Sequence, residues 1–364
     1  MKILIMHSSI GSGGIESMVV NLANEMAKTQ DVTVCTIFQP KITDIAYNKL
    51  SSAVQFTSFG KKKSGISLSI LFRIFRLLTK GGYDVVHLNG FFYYYVLAVL
   101  FLHHKTRFFY TVHNDAYKEN CRWDRYLIHI KKFCFVHNWM HAVTISKTSQ
   151  DSFRELYGAP NTLIYNGVPR LTVREADLFP YKFTENTRVL LNPARISTQK
   201  NQVMLCRVVT RLIREGFDCS LIIAGSKDDL SVFAQIESYF CDRICYIGER
   251  NDNLGIMSSA HAMCLSSSWE GMPVTLIEAL SVGCIPICTP VGGICDVVDN
   301  DLNGLLSTEI SEESYYSSVR RFLQMSDTEI KQMKESCINS FSQFDIETTS
   351  RLYVDMFSRN TFVN

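Results

Sequence analysis

The chain has 364 residues, of which 46% are hydrophobic and 20% charged, a balance typical of a folded globular protein with room for two domains. Its formal charge of +2 hides an asymmetry, because residues 1–170 contain 20 Lys and Arg against 10 Asp and Glu (net +10), whereas residues 171–364 contain 17 against 25 (net −8). No zinc-finger spacing or basic zipper accompanies the basic half, so we expect an anionic membrane surface or a phosphate-bearing ligand as its partner, and no nucleic acid.

The chain opens with the pattern of a strand–helix–strand unit. Residues 2–6 are a short apolar run, and residues 7–14 (HSSIGSGG) form a glycine-containing loop. An apolar stripe at helical spacing follows over residues 15–28, and a second strand pattern covers residues 32–38. This order predicts a βαβ unit that begins the first domain.

The glycine loop matches the dinucleotide-binding fingerprint GxGxxG only in part. Gly11 and Gly13 fill its first two positions, but Glu16 stands at the third, where its charge would oppose a pyrophosphate. The acid that should end the second strand is Asp31, which precedes that strand. We therefore do not expect a nicotinamide cofactor.

Two later strand patterns end in polar residues, at residues 84–89 and 108–114. Ligands of open α/β sheets bind beyond the carboxyl ends of the strands, so His87 and His113 are candidates for a binding site. For each of them, a histidine hydrogen-bonded within the fold remains the alternative.

Ser146 is predicted to cap a helix over residues 147–157.

Residues 170–186 are charged and aperiodic, which is typical of a linker, and a second domain is predicted from residue 187. Its first predicted strand is followed by a loop that contains two cations, Arg195 and Lys200. The strand patterns cover 188–192, 219–224 and 244–247, with a helix over 203–215 and a last helix over 346–357.

The segment 266–293 (SSSWEGMPVTLIEALSVGCIPICTPVGG) has the pattern of a binding site. Short apolar runs at 262–265 and 284–289 predict buried parallel strands, with a helix between them. Pro273 suits the first helical position and Gly283 the helix stop. Glu270 then lies in the loop before the helix, and Glu278 on its second turn.

A helix N-terminus attracts phosphate through its free N–H groups and its partial positive charge. Gly271, Met272, Val274 and Thr275 have such N–H groups to offer, whereas Pro273 has none. Carboxylates beside a phosphate site are suited to accepting hydrogen bonds from hydroxyls, and a sugar and a ribose are the obvious hydroxyl carriers.

The motif EGMPVTLIEAL at 270–280, followed by a strand and TPVGG at 289–293, resembles the paired-glutamate signature of the retaining family 4 glycosyltransferases. GGIE at 13–16, NGV at 166–168 and PARISTQKN at 193–201 resemble further motifs of that family. The resemblance implies an α/β protein of the GT-B fold, with two Rossmann-like domains facing across a cleft. Residues 1–170 would bind the acceptor, residues 187–345 the donor, and residues 346–364 would form a helix that crosses back to the first domain.

The same resemblance assigns site residues. Glu270 would hold the transferred sugar, His113 would lie near the donor sugar, and Arg195 and Lys200 would meet the diphosphate. The residues implied to bind the donor nucleotide sugar are Gly13, Gly14, Gly225, Ile247, Gly271, Met272, Val274, Thr275 and Glu278, the last through the ribose hydroxyls.

The expected reaction is a retaining transfer from a nucleoside diphosphate sugar, UDP in preference to GDP, to a saccharide acceptor carried on a lipid, in cell-surface polysaccharide biosynthesis such as that of capsule or lipopolysaccharide. Neither a cofactor nor a metal is expected. The DND motif at 299–301 matches a metal-binding DxD signature, but Asn and Asp also favour turns, and we interpret it as a turn. A nucleotide-sugar epimerase of similar fold and a catalytically silent sugar-binding protein are the alternatives.

Cellular location can also be predicted from the sequence. The 12 cysteines include no CxxC pair, and no leader is recognised, which favours reduced cysteines in a cytoplasmic protein. The longest apolar run, residues 91–102, is too short to span a bilayer. Peripheral association with the inner face of the cell membrane is expected from a helix over residues 66–80.

In that helix, apolar side chains fall at helical spacing beside cations, as in a helix that lies in a membrane interface. A helix whose apolar side faces the core is the alternative, and the sequence leaves both open. The apolar residues are Leu68, Leu71, Phe72, Phe75 and Leu78, the cations are Arg73, Arg76 and Lys80, and residues 61–63, residues 91–95, Arg122, Arg125, Lys131 and Lys132 are expected to widen the same surface.

Overall fold

The computed structural model describes residues 1–11, 13–62, 65–119, 124–170, 176, 178, 181, 184–250 and 252–359. These residues form two compact units. One consists of residues 1–169 and the segment that begins at Phe344, and the other of residues 170–343.

A seven-stranded parallel sheet forms the centre of the first unit, with the strand order β3-β2-β1-β4-β5-β6-β7. The strands are β1 (Lys2–His7), β2 (Asp31–Phe38), β3 (Gln55–Lys61), β4 (Val85–Asn89), β5 (Arg107–Val112), β6 (His141–Thr144) and β7 (Asn161–Leu163). In the register of the central pairs, Ile5 of β1 stands beside Val34 of β2 and His87 of β4.

Eight helices surround this sheet within the described residues. They are α1 (Gly14–Met26), α2 (Ile45–Asn48), α3 (Leu68–Gly81), α4 (Val96–Leu102), α5 (Ala116–Glu119), α6 (Ile128–Val136), α7 (Lys147–Tyr157) and α15 (Ile346–Ser358). Neighbouring helices pack in pairs: α3 against α4, α4 against α6, α6 against α7, and the C-terminal α15 against α1.

The second unit is built on a six-stranded parallel sheet with the order β10-β9-β8-β11-β12-β13. Its strands are β8 (Arg188–Pro193), β9 (Cys219–Ala224), β10 (Ile244–Tyr246), β11 (Ala262–Leu265), β12 (Ile285–Cys288) and β13 (Leu305–Leu306). Its helices are α8 (Gln202–Arg214), α9 (Leu230–Glu237), α10 (Asn253–Ser259), α11 (Val274–Ser281), α12 (Ile294–Val297), α13 (Glu312–Leu323) and α14 (Asp327–Ser340).

The central strands of both sheets are buried on both faces. Every residue of β9 and of β11 is buried, and so are residues 3–6 of β1, because helices cover the two sides of each sheet. These two α/β units confirm the two Rossmann-like domains that the family resemblance implies.

Two local predictions are confirmed in detail. Helix α7 spans the predicted residues, and the side chains and backbones of Ser146 and Ser149 form a capping box at its N-terminus. Gly283 adopts a left-handed conformation with φ of 69° just after α11. Pro273 differs by one position, because it is the N-cap of α11 and its backbone is still extended.

Two predictions about membranes and thiols can also be compared with the structure. Residues 92–94 form a single 3-10 turn and α4 has seven residues, and no helix among the described residues is long and apolar enough to cross a bilayer. The cysteines in the described part of the chain are free thiols, and most are buried.

Candidate active site

Two loops meet at the carboxyl edge of the second sheet because their strands, β8 and β11, are neighbours there. One loop follows β8 and contains Lys200, and the other follows β11 and contains Glu270. The backbone N–H of Ser268 donates to the carbonyl of Gln199 (2.8 Å), and the Ser266 hydroxyl donates to the carbonyl of Lys200 (2.9 Å). These bonds bring Lys200 and Glu270 together although they lie 70 residues apart in sequence.

The carboxylate of Glu270 is buried and held by three donors. Lys200 Nζ lies 2.5 Å and Ser267 Oγ 2.6 Å from Oε1, and Gln199 Nε2 lies 3.4 Å from Oε2. The side chain of Glu270 is 6% exposed and that of Lys200 13%. Such a pair is nearly neutral as a whole, and its members are fixed because breaking it would leave a buried charge without a partner.

A third loop, residues 289–293 after β12, supports the Glu270 loop from behind. Thr289 Oγ1 donates to the carbonyl of Ser267 (2.6 Å), and Gly293 N donates to the carbonyl of Gly271 (2.5 Å). Gly292 has φ of 54°, and a Cβ atom there would collide with the carbonyl oxygen of Glu270. Glycine is therefore required at this position by its neighbour as well as by its own backbone.

Helix α11 begins directly after the Glu270 loop. The first intrahelical bond runs from Leu276 N to the carbonyl of Pro273 (3.1 Å), so Val274 and Thr275 contribute N–H groups at the helix N-terminus that precede it. Thr275 and Glu278 are half-buried, and because they are three residues apart they lie on one face of the helix. Glu278 therefore lies on the same side of α11 as Thr275, one turn beyond the N-terminal N–H groups that attract anions.

Arg195 lies in the same loop as Lys200 but in a different environment. Its side chain is 57% exposed, with Nη1 3.6 Å from Asp228 Oδ2 and Nη2 3.5 Å from Gln199 Oε1. The two cations thus form part of one loop, yet only Lys200 is mostly shielded from solvent and paired with Glu270.

The glycine after β9 has a structural reason that the sequence does not reveal. Gly225 has φ of 157°, and a Cβ atom there would collide with the backbone of Ala194 in the loop after β8. Its N–H donates to the carbonyl of Gly248 (2.9 Å), and nearby Ile247 N donates to the carbonyl of Ile223 (3.0 Å). The close approach at Gly225 is thus between two protein loops, and this contact alone accounts for the glycine.

The remaining predicted residues, Gly13, Gly14 and His113, belong to the first unit. Gly13 is the N-cap of α1 and Gly14 its first residue, and a Cβ on Gly13 would collide with the carboxylate of Glu16. His113 follows β5 and is 9% exposed, with its Nε2 2.7 Å from Asn89 Oδ1. Burial, together with the neighbouring rings of His7 and His87, holds the pKa of His113 well below its usual range.

His87, by contrast, is a core histidine. It is 2% exposed, its Nε2 lies 2.6 Å from Thr111 Oγ1, and its ring packs against Tyr353 and Phe357 of α15. Burial lowers its pKa to about 3. For this residue the structural alternative is the right one.

The described residues contain no group of three or more His, Cys, Asp or Glu that could hold a metal ion. Asp299 and Asp301 lie in a turn, where Asp301 has φ of 68° and its carboxylate is 3.0 Å from Arg321. The motif therefore forms a turn, as interpreted, and the expectation that no metal is required stays a prediction.

Gln199 and Ser267 are two site residues that the sequence interpretation missed. Both bond the Glu270 carboxylate, and their only signal in the sequence is nearness to Lys200 and to Glu270.

Comparisons with known proteins cover nearly the whole chain. The family model described as Glycosyltransferase Family 4 matches residues 12–170, and the one described as Glycosyl transferases group 1 matches residues 173–339. The chain is 24% identical over 321 residues to the UDP-Gal:alpha-D-GlcNAc-diphosphoundecaprenol alpha-1,3-galactosyltransferase of Escherichia coli, which covers 79% of each chain.

It is also 23% identical over 373 residues to the GDP-mannose:cellobiosyl-diphosphopolyprenol alpha-mannosyltransferase of Xanthomonas oryzae, covering 96% of this chain and 94% of that one. Among solved structures, HepE of Anabaena in complex with UDP-glucose superposes with a TM-score of 0.79 at 16% identity, covering 98% of this chain and 99% of that one. At this identity the structural likeness shows the fold.

Proposed function

Because the chain belongs to the family 4 glycosyltransferases of the GT-B fold, we propose that it moves a sugar from a nucleoside diphosphate donor to a saccharide carried on a lipid, with retention of the anomeric configuration. The observation that carries this proposal is the ion pair between Lys200 and the buried Glu270, which lies in the loop directly before the N-terminus of α11. A cation, a fixed carboxylate and free N–H groups are the parts that a sugar diphosphate requires.

The diphosphate of the donor would bind at the N-terminus of α11, where Val274 and Thr275 offer N–H groups. A carboxylate beside this place would ordinarily repel phosphate, but Lys200 neutralises Glu270. Arg195 is exposed on the same loop and can turn towards the phosphates. Preorganised positive groups of this kind stabilise the charge that grows on a leaving nucleotide.

In the proposed reaction, the bond between the anomeric carbon and the diphosphate oxygen breaks, and the acceptor hydroxyl attacks the same face of the sugar. The electron pair of the broken bond stays on the nucleoside diphosphate, whose phosphate takes the proton of the acceptor hydroxyl. Glu270 orients the sugar by accepting hydrogen bonds from its hydroxyls, and Glu278 accepts those of the ribose. His113, at the edge of the first sheet, would serve a saccharide hydroxyl.

No metal enters this proposed mechanism, because the N-terminus of α11 and Arg195 supply positive charge and Lys200 offsets the negative charge of the neighbouring Glu270. UDP is the proposed nucleotide in preference to GDP. The Escherichia coli relative, named for UDP-Gal, and HepE, solved with UDP-glucose, support that choice, whereas the Xanthomonas relative is named for GDP-mannose.

Calorimetric titration with UDP and with GDP tests the donor, and proton NMR of the transferred sugar tests retention. The proposal predicts tighter binding of UDP and an anomeric proton whose coupling constant matches that of the donor. Tighter binding of GDP would show that the donor is a GDP-sugar. A coupling constant typical of the opposite anomer would exclude attack on the same face of the sugar.

The lipid-linked acceptor is proposed because two relatives are named for acceptors on undecaprenol or polyprenol diphosphate. Such an acceptor fits a role in cell-surface polysaccharide biosynthesis, such as that of capsule or lipopolysaccharide. It also places the work of the protein at a membrane surface, and the basic first unit is the part suited to an anionic one.

The structure changes which residues form that surface. Of the five apolar residues predicted to lie in the interface, only Leu78 is buried; Leu71 and Phe75 are half-buried against the core, and Leu68 and Phe72 are exposed. Ile70 and Ile74 are also buried, so one side of α3 faces the core and the other side stays exposed. Residues 92–95 are buried as well, and Lys131 is buried with its Nζ 3.0 Å from the Tyr110 hydroxyl. Lys63 and Arg122 lie outside the described residues.

Apolar and basic side chains remain exposed on the three helices α3, α4 and α6. Phe72 of α3 is 67% exposed, Phe101 of α4 is 61% and Phe133 of α6 is 44%. Helices α3, α4 and α6 contain no acidic residue, and Arg76, Lys80 and Lys132 are exposed on them. Exposed aromatic rings among cations fit the headgroup region of an anionic bilayer.

Flotation with vesicles that contain anionic lipid tests this surface. The triple change Arg76→Gln, Lys80→Gln and Lys132→Gln should reduce flotation at low salt, whereas a matched triple change in the second unit should not. The matched residues are the exposed cations Arg214, Arg320 and Lys331. Equal flotation of both variants, or no flotation of the unaltered protein, would remove the membrane role.

A further inference from the structure

A polar cluster occupies the carboxyl edge of the first sheet. His7 ends β1, Asn89 ends β4, and His113 follows β5, and these three strands are neighbours in the sheet. The exposed fractions of the three residues are 6%, 1% and 9%. In such a buried place each hydrogen bond constrains which atoms carry protons.

The orientation of the Asn89 amide follows from its partners. Its Nδ2 lies 3.3 Å from the carbonyl oxygen of Met6, which can only accept, so the amino group must point there. The amide oxygen is thereby turned to His113, 2.7 Å from Nε2. An amide oxygen can only accept a hydrogen bond, so Nε2 of His113 carries the proton.

His7 bonds the backbone of Asn89. Its Nδ1 lies 3.1 Å from the carbonyl oxygen of Asn89, and by the same reasoning it donates. Asn89 is thus bonded through its backbone and through both ends of its amide, which leaves the side chain no second orientation that keeps these bonds.

The other nitrogen of His113 is left as an acceptor. The ring is neutral near pH 7, because burial and the nearby His7 and His87 keep its pKa well below the usual range, and a neutral imidazole carries one proton. Its Nδ1 is buried and has no hydrogen-bond partner among the described residues. An acceptor left in this state favours a ligand that brings a donor.

We propose that Asn89 is a positioning residue that fixes His113 as the Nε2-protonated tautomer, so that Nδ1 accepts a hydrogen bond from a hydroxyl of a saccharide substrate. The saccharide as the ligand rests on the proposed function, whereas the tautomer rests on the hydrogen bonds alone. A sugar that lacks a hydroxyl at the contacted position would leave Nδ1 of His113 without a hydrogen bond and would bind more weakly.

Nitrogen NMR of the ligand-free, full-length protein labelled with 15N-histidine tests the tautomer directly. The His113 signals are identified by their loss in His113→Gln. We expect Nε2 at the shift of a protonated nitrogen and Nδ1 at that of a bare nitrogen near pH 7. Nδ1 protonated, or two averaged signals, would overturn the proposal.

Two variants of Asn89 test its part. In Asn89→Leu the acceptor is absent, and we expect the two tautomers of His113 to mix. In Asn89→Asp the carboxylate should raise the pKa of His113, so that both nitrogens become protonated at a higher pH than in the unaltered protein. His7, Glu16, His87 and Glu119, the other titratable groups of this region, are unchanged in both variants.

Circular dichroism and thermal unfolding establish that each variant is folded, and if Asn89→Leu does not fold, Asn89→Asp still gives an answer. His113 signals unchanged in a folded variant would show that Asn89 does not set the tautomer. Because this readout needs no substrate, it stands or falls separately from the proposed reaction.

Discussion

Lys200 and Arg195 offer a sharp comparison, because both are assigned to the diphosphate but only Lys200 is paired with a buried carboxylate, that of Glu270. Removing one partner of a buried ion pair costs about 3 to 5 kcal/mol, since the other charge is left without compensation. Ser267 and Gln199 would still donate to Glu270 in Lys200→Met, so we expect a loss near the lower end, about 3 kcal/mol. The exposed Arg195–Asp228 pair at 3.6 Å should contribute less than about 1 kcal/mol, so Arg195→Met should unfold almost as the unaltered protein does.

The sequence supplies a probe for this measurement. Trp269 is the only tryptophan in residues 170–343, and the other two are Trp123 and Trp139. In a background with phenylalanine at those two positions, Trp269 fluorescence reports urea unfolding of the second unit, and the midpoint at constant m-value gives the change in stability.

The double variant Lys200→Met with Glu270→Gln removes both charges and should recover most of the loss, because a buried amide costs far less than a buried unpaired carboxylate. Turnover should fall in both single variants, since both cations are proposed to meet the growing charge of the leaving group. Equal and small stability losses in Lys200→Met and Arg195→Met would refute the buried pair.

Three further predictions concern the ribose, the metal and the core histidine. Glu278→Ala should weaken nucleotide binding by about 1 to 3 kcal/mol through lost ribose hydrogen bonds, whereas the exposed Glu237→Ala should not; unchanged calorimetric affinity would remove Glu278 from the site. Turnover should survive excess EDTA, and a loss that magnesium or manganese restores would contradict the metal-free mechanism. The unfolded chain protonates His87 below about pH 6.5, whereas the folded protein keeps it neutral down to a pKa of about 3, so the unfolding free energy should fall with decreasing pH in that window. At pH 4.5 this loss amounts to about 3 kcal/mol, at about 1.4 kcal/mol for each pH unit, and His87→Gln should remove it; identical pH dependence in that variant would show that another group is responsible.

Local sequence patterns predicted many of the strands and helices, and the family resemblance supplied the fold class. The apolar runs that end in polar residues became parallel strands, and the helix over 147–157 with its serine cap lies where the pattern places it. The segment around Glu270 folds as a strand, a loop and a helix because Pro273 and Gly283 mark the two ends of α11.

Contacts between residues that are distant in sequence could not be predicted from local sequence patterns. No local pattern indicates that Lys200 and Glu270 form a buried pair, because that contact depends on β8 and β11 being neighbours in the sheet. Gly225 is required by the backbone of Ala194, which is distant in sequence. The family resemblance identified these residues as part of the site, and the structure shows which residues they contact.

The two strand-end histidines show the same limit. His87 and His113 follow similar apolar runs, yet His87 lies beneath α15, whose residues come more than 250 positions later. Helix α3 is a further case, since a stripe of apolar residues beside cations fits a core-facing helix and an interfacial one equally well. The structure shows that Ile70, Ile74 and Leu78 are buried whereas Leu68 and Phe72 are exposed, so α3 has one side in the core and one side in solvent.

The most direct test of the central claim is a transfer assay read by mass spectrometry. The protein is incubated with UDP-glucose, UDP-galactose, UDP-N-acetylglucosamine or GDP-mannose, each with and without a saccharide linked to polyprenyl diphosphate. We expect that the acceptor gains one sugar and that UDP is released only when both substrates are present, and that Glu270→Gln abolishes both signals. Conversion of a donor to its epimer without acceptor, or binding of donor with no turnover under any of these conditions, would contradict this expectation.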